Sequence, residues 1–171
     1  MKKTHFELLV MMLLTMVGIS SCEAKSSKDE LPTEKMQKCL GDSITKVLMD
    51  ANRITVELQG ASQTDSIATK SKLTKKQRYA MRFMVTNEKN FESNDTVYGK
   101  LMPNVVYTFC YKKQNVFVAV DFGLRKWQIQ DENGKPLIQF DLKDDGLLYL
   151  THLVFPKNEM INYYYENKEN K

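Results

Sequence analysis

Apolar and polar residues alternate with a period of two through most of the chain from residue 105 onward. Val105, Tyr107 and Phe109 would share one side of a strand, because successive side chains of a strand point to opposite faces. Short turns separate the alternating segments, and Asn133-Gly134 suits a tight hairpin. Sequential strands joined by short turns form an antiparallel meander. We therefore predict five strands, over residues 105–111, 116–122, 125–130, 137–142 and 147–155.

Helical spacing, in which apolar residues recur three or four positions apart, is confined to three short segments. Asp42 or Ser43 can cap the first of them. Thr74 and Gln77 fit a capping box, which opens the second. The predicted helices span residues 42–51, 74–86 and 158–165.

One early strand, from Ile54 to Leu58, precedes a polar, Ser/Thr-rich segment at 59–72 that we expect to be a surface loop. Together these elements predict an α+β fold, in which two or three helices pack on an antiparallel β-meander sheet. The alternative fold is an open β-barrel or lipocalin-like shell with peripheral helices.

The N-terminus has the layout of a secretory signal. A short basic start precedes an apolar run at 6–17, which is too short for a membrane-spanning helix of about 20 residues. The run ends in Ile19-Ser20-Ser21-Cys22, which resembles the lipobox of bacterial lipoproteins, in which the cysteine is acylated and becomes the first residue. The resemblance implies a cleaved signal peptide at 1–21 and a palmitate-type lipid anchor on Cys22.

The polar segment 22–35 is predicted to be a flexible tether, and residues 36–171 a single globular domain. Within the tether, Lys28-Asp29-Glu30 resembles the basic-then-acidic patch that marks export to the outer face in lipoproteins of the Bacteroidota. The alternative is an ordinary solvated charge cluster. We therefore expect a lipoprotein that is anchored to the outer membrane of the cell envelope. The domain lies either on its periplasmic side or on the cell surface.

Three tripeptides resemble the general O-glycosylation site of Bacteroidota envelope proteins, which is an aspartate, a hydroxyl residue and an aliphatic residue. They are Asp42-Ser43-Ile44, Asp65-Ser66-Ile67 and Asp95-Thr96-Val97. The alternative is that each hydroxyl caps a helix or a turn, Ser43 foremost. Ser66 and Thr96, in predicted loops, are the better acceptors.

Charge and cysteine content narrow the class of protein. Removal of the signal peptide lowers the formal net charge from +4 to +3, which is too small to indicate a nucleic-acid partner. With Cys22 committed to lipid, Cys39 and Cys110 remain as a pair in an oxidising compartment. They form either a disulfide, worth about 4 kcal/mol in the chain-entropy model, or two buried free thiols.

The most basic stretch of the chain includes Lys75, Arg78 and Arg82 on the second predicted helix. We expect a solvated outer face, with contact to lipid phosphates or to an acidic partner as the alternative. His152, the only histidine after the signal peptide, lacks neighbours at metal-ligand spacing and is expected to be a structural or exposed ring on a strand. No cofactor or metal is expected.

The sequence favours a non-catalytic binding domain over two alternatives. A small-ligand or lipid carrier is the first, and a carboxylate-dependent hydrolase the second. A hydrolase would need two carboxylates that meet in one cleft. The candidates are Asp121, Glu132, Asp141, Asp144 and Asp145. Trp127 and Tyr163-Tyr164-Tyr165 could stack on sugar rings, or could complete the core. The expected partners are the membrane, through the lipid anchor, and an unidentified protein or glycan.

Overall fold

The computed structural model describes residues 34–60, 69–91 and 101–168. Cys22, Ser66 and Thr96 lie outside the described residues, as do the predicted signal peptide and residues 22–33 of the predicted tether. No helix in the described ranges combines the length and apolarity that crossing a bilayer demands.

The described residues form one antiparallel sheet of six strands with four helices, which confirms the α+β fold. The strand order is β2-β1-β3-β4-β5-β6, so the last four strands are a meander. In chain order the elements are α1 (Glu34–Asp50), β1 (Arg53–Leu58), β2 (Lys70–Lys72), α2 (Lys75–Val85), a 3₁₀ turn (Glu88–Phe91), β3 (Val105–Tyr111), β4 (Gln114–Asp121), β5 (Lys126–Gln130), β6 (Pro136–Asp141), α3 (Gly146–Val154) and α4 (Glu159–Glu166).

The ladder register separates the two faces of the sheet. Tyr107 on β3 lies opposite Val118 on β4, which lies opposite Ile129 on β5, and residues opposite each other share a face. This face forms one continuous core with buried residues of all four described helices. Cys110 and Ala119 are also buried but do not belong to that core, because they point to the second face.

Residues 147–155, predicted as the fifth meander strand, instead form most of helix α3. The strand prediction was wrong because a short apolar run of this kind fits a buried strand and a buried helix equally well. In the structure Leu147, Leu148, Leu150 and Thr151 are buried, which is the spacing of one side of a helix. His152 therefore lies on a helix and not on a strand.

The sequence analysis predicted α1 too short and did not predict β2. Helix α1 begins at Glu34, and Gly41 interrupts it with φ 74°, so the predicted helix over 42–51 is its second half. Strand β2 lies within the predicted loop at 59–72 and pairs with β1 through Thr55 and Lys72. Its sequence Lys-Ser-Lys carries no apolar side chain, so only the backbone pairing reveals it.

The predicted starts of α2 and α4 are confirmed. The Thr74 backbone nitrogen donates to Gln77 Oε1 at 2.9 Å, and the Gln77 nitrogen donates to Thr74 Oγ1 at 3.4 Å, which completes the capping box. Asn158 caps α4 by accepting from the backbone nitrogen of Ile161 at 3.1 Å.

Cys39 and Cys110 are both free thiols in the structure. Cys39 is exposed on α1, and Cys110 is buried near the end of β3. The disulfide alternative is therefore not formed in the structure, and only one of the two thiols is buried.

Candidate functional site

The second face of the sheet, which we call the polar face, carries none of the described helices, since all four pack on the core face. It is half-buried at Thr108 and Phe117, which are opposite each other in the ladder. Strand alternation fixes which side chains reach it. Its main members are Thr55, Glu57, Thr108, Phe117, Lys126, Gln128, Gln130, Gln139 and Asp141.

A chain of three side-chain amides crosses the polar face. Gln130 donates from Nε2 to Gln128 Oε1 at 3.2 Å, and Gln128 donates from Nε2 to Gln139 Oε1 at 2.7 Å. Gln128 and Gln139 are 2% and 7% exposed, so the bond between them forms largely away from water, where it is electrostatically stronger. The chain ends in an amide oxygen of Gln130 and an amide nitrogen of Gln139, neither of which bonds to a described residue.

Charged residues flank the amide chain. Lys126 lies between Asp121 and Asp141 in the ladder and pairs with Asp141 at 2.8 Å. At the opposite side of the sheet, Glu57 pairs with Lys70 at 2.8 Å. Both pairs are solvent-exposed in part, so each contributes about 0.2–1 kcal/mol to stability and chiefly orders its side chains.

The five carboxylates considered for a hydrolase have different structural roles. Buried Asp121 accepts from the backbone nitrogen of Leu124 at 2.9 Å, and Asp145 pairs with Arg125 at 3.1 Å. Asp141 and Asp144 line the same cavity of about 90 Å³, and Asp144 accepts from the nitrogen of Gly146 at 2.8 Å. Glu132 lies in the β5–β6 turn, at the other end of these strands. The structure thus brings Asp141 and Asp144 together, and leaves Glu132 apart.

A second cavity, of about 180 Å³, lies between α1 and the two hairpin turns. Its lining includes Ser43, Gln114, Asp131 and Glu132. Ser43 lies inside α1 and accepts a hydrogen bond from Gln114 Nε2 at 3.2 Å. The cavity is smaller than the about 300 Å³ that marks the lower end of small-molecule sites.

Trp127 does not offer a surface for sugar stacking. It is 3% exposed and stacks on Phe140 at a centroid distance of 4.3 Å, within the core. The tyrosine run is divided. Tyr164 packs against Phe122, whereas Tyr163 is exposed.

His152 and Tyr165 stack in parallel, with ring centroids 4.0 Å apart and an interplanar angle of 10°. Lys168 lies over the rings of Tyr149 and Tyr165, and donates from Nζ to the Tyr149 hydroxyl at 2.8 Å. His152 Nδ1 is buried and has no hydrogen-bond partner among the described residues. This cluster joins α3 to α4, so the histidine has a packing role.

The basic residues predicted on α2 differ in their surroundings. Arg78 donates to the carbonyl oxygen of Leu73 at 3.1 Å, and Arg82 donates to that of Ala51 at 2.6 Å. Burial lowers the pKa of Arg82, with Asp50 opposing this effect. Lys75 is exposed. The two arginines therefore connect α2 to its neighbours, and Lys75 is left at the surface.

Comparison with family models, with curated proteins and with solved structures gives no match to this chain. Among the functional features, sequence reasoning missed the amide chain. Three glutamines at 128, 130 and 139 were visible in the sequence, but only the β5–β6 register, which places Gln128 opposite Gln139, brings them together.

Proposed function

We propose that the protein is an envelope lipoprotein, anchored to the membrane through Cys22, whose domain binds a partner non-catalytically at the polar face. The observation that carries the proposal is the amide chain from Gln130 through Gln128 to Gln139. Polar groups that are ordered by one another, and that end in atoms with no hydrogen-bond partner among the described residues, are suited to bind a polar ligand at little cost in side-chain ordering.

The geometry of the two ends favours a polypeptide as the ligand. A side-chain amide nitrogen and an amide oxygen offer one donor and one acceptor, which matches the acceptor and donor of a peptide group. Half-buried Phe117 and Thr108, beside the amide chain, add an apolar contact and a hydroxyl group. An extended segment of an envelope protein laid across the strands would meet all of these groups.

The core layer supports the choice of a surface binder over a carrier. Aromatic side chains fill the space between the sheet and the helices, and Tyr107 and Phe109 are fully buried there. A carrier would bind its ligand in an enclosed apolar cavity of about 300 Å³ or more. The cavity beside α1, of about 180 Å³, is smaller and mixes apolar side chains such as Val47 with polar ones such as Asp131.

Site-specific photo-crosslinking of the full chain in its native envelope tests the proposal. A photoreactive phenylalanine analogue at Phe117 should give a discrete adduct, and the same analogue at exposed Tyr163 on α4 should not. Gln139→Leu, which removes the terminal amide and the acceptor of the Gln128 amide, should reduce the Phe117 adduct at least about fivefold, the loss expected for one hydrogen bond. Protease and glycosidase digestion of the adduct distinguishes a polypeptide from a glycan. Equal adducts from both positions would contradict the proposal.

The anchor is tested separately. Metabolic labelling with an alkynyl palmitate should modify the wild-type chain and leave Cys22→Ser unlabelled, with Cys39→Ser as the matched control that retains the label. Label that persists on Cys22→Ser would refute the anchor and leave the polar-face proposal standing.

A further inference from the structure

Two large aromatic side chains on α2 point into solvent. Tyr79 and Phe83 are 71% and 61% exposed, and their spacing of four residues places them on one side of the helix. The opposite side of α2 carries Met81 and Val85, which are fully buried in the core. The aromatic pair is therefore not explained by packing within the domain.

Exposed basic residues lie at the start of α2, before the aromatic pair. Lys72, Lys75 and Lys76 are all exposed, and residues 69–87 contain no acidic residue. Arg78 and Arg82 on the same helix are instead bonded to backbone carbonyl groups. Lys72, Lys75 and Lys76 thus supply exposed positive charge at the start of α2. Phe83, farther along the helix, also lines the cavity that contains Asp141, Lys143 and Asp144. We call this set, Lys72, Lys75, Lys76, Tyr79 and Phe83, the aromatic-basic surface.

We propose that the aromatic-basic surface binds an anionic lipid bilayer. Aromatic rings on a helix that lies at a bilayer surface insert among the headgroups and acyl chains, and lysines on its flanks are attracted to the anionic headgroups. Charge complementarity selects lipid phosphate, since each lysine near an anionic membrane surface strengthens binding about fivefold. Membrane binding in this proposal does not require Arg78 or Arg82, because both already donate to backbone carbonyl groups of the domain.

The inference extends the proposed anchorage by a second membrane contact. The predicted tether between Cys22 and α1 spans about 20 Å as a flexible chain, so an anchored domain remains within reach of the bilayer. The helices cover the core face of the sheet, and the polar face lies on the other side of the sheet. With the outer side of α2 on the membrane, the polar face would be turned away from it.

Vesicle co-flotation of the chain from Glu23 onward, which lacks the cysteine that carries lipid, tests this contact without the anchor. This chain keeps every residue of the described core, which runs from Met36 to Ile161. It should float with vesicles of phosphatidylcholine mixed with phosphatidylglycerol, and remain largely unbound with pure phosphatidylcholine. Flotation that is equal with both vesicles would overturn the role of charge.

Two pairs of variants locate the contact. Lys75→Glu with Lys76→Glu should weaken binding at least about 25-fold, and acidic residues in the first turn of α2 stabilise a helix, so folding is retained. The matched control is Lys113→Glu with Lys135→Glu, which changes the charge equally at exposed turn positions and should weaken binding far less.

Tyr79→Ser with Phe83→Ser should weaken binding about tenfold, as expected for the loss of two partly inserted rings. Serine has nearly the helix propensity of tyrosine and phenylalanine, so α2 should persist. The control is Tyr163→Ser with Leu124→Ser, which are 61% and 59% exposed elsewhere. If both members of either matched pair weaken binding equally, or if the wild-type chain does not float, the proposal is wrong. The crosslinking result at the polar face is independent of each outcome.

Discussion

The hydroxyl groups of Tyr107 on β3 and Thr151 on α3 lie 2.6 Å apart in the centre of the core, and both residues are fully buried. Thr151 also donates from Oγ1 to the carbonyl oxygen of Leu147 at 2.7 Å. Since a hydroxyl group has one proton, Tyr107 is the donor in the bond between them. This bond connects the sheet to the helix that sequence periodicity assigned as a strand.

Tyr107→Phe should lower the free energy of unfolding by about 1 kcal/mol, the net value of one hydrogen bond. Thr151 keeps its bond to Leu147, so this change leaves no buried donor without an acceptor. Thr151→Val should cost more, about 1–3 kcal/mol, because the buried tyrosine hydroxyl then lacks an acceptor. Urea unfolding monitored by circular dichroism measures both values.

A double-mutant cycle sharpens this prediction. With both changes in one chain, the loss should be smaller than the sum of the single losses, since no polar group is left unsatisfied. Strictly additive losses would show that the two hydroxyl groups do not interact in solution.

Alkaline pH should reduce the advantage of wild type over Tyr107→Phe. Burial raises the pKa of Tyr107 above its ordinary value of 10.0, and the bond to Thr151 opposes this shift. The folded state therefore retains a proton that the unfolded state releases, so the stabilisation is complete below pH 10 and is lost above it. The difference between the two proteins should change by about 1.4 kcal/mol per pH unit above that value, so the advantage of wild type, about 1 kcal/mol, should vanish within about one pH unit and then reverse. A constant difference would contradict the burial of a neutral tyrosine.

Thr74→Ala should destabilise the protein by about 1 kcal/mol, because it removes the side-chain acceptor at the start of α2. Lys76→Ala is the control, since it changes an exposed residue in the same turn and should shift stability by less than about 0.5 kcal/mol. Chemical denaturation compares them. Equal losses would mean that the capping box contributes nothing specific.

Gly134→Ala should destabilise the β5–β6 hairpin, because Gly134 has φ 76° and a β-carbon is strained there by about 1–2 kcal/mol. Gly134→Asn should cost less, since asparagine tolerates this backbone region better than alanine. The thermal unfolding midpoints give the ranking. Similar midpoints for the two variants would rule out the backbone explanation.

Sequence pattern was sufficient where one rule decided the outcome. Alternation placed β3 and β4, and the Thr74–Gln77 capping box placed the start of α2. It failed at Gly146–Val154, where helix and strand patterns both fit and tertiary packing decides. It also failed at β2, whose polar residues are held in the sheet by backbone bonds to β1.

The polar face could not be predicted from the sequence as well as the fold could. Gln128 and Gln139 are eleven residues apart, and no pattern distinguishes them from surface glutamines. Their contact depends on the β5–β6 register, including its shift at Ile129 and Gln130. Likewise, the division of the basic stretch into bonded arginines and exposed Lys75 depends on which carbonyl groups lie near α2.

Strand β2 has three residues, and two of them are exposed lysines, Lys70 and Lys72. It forms one end of the described sheet. An edge this short offers few unpaired backbone groups, and its lysines repel an identical edge on another copy of the chain. This end of the described sheet is therefore expected to resist growth into an intermolecular β-structure, which would matter most if the proposed anchor concentrates copies of the chain on one membrane.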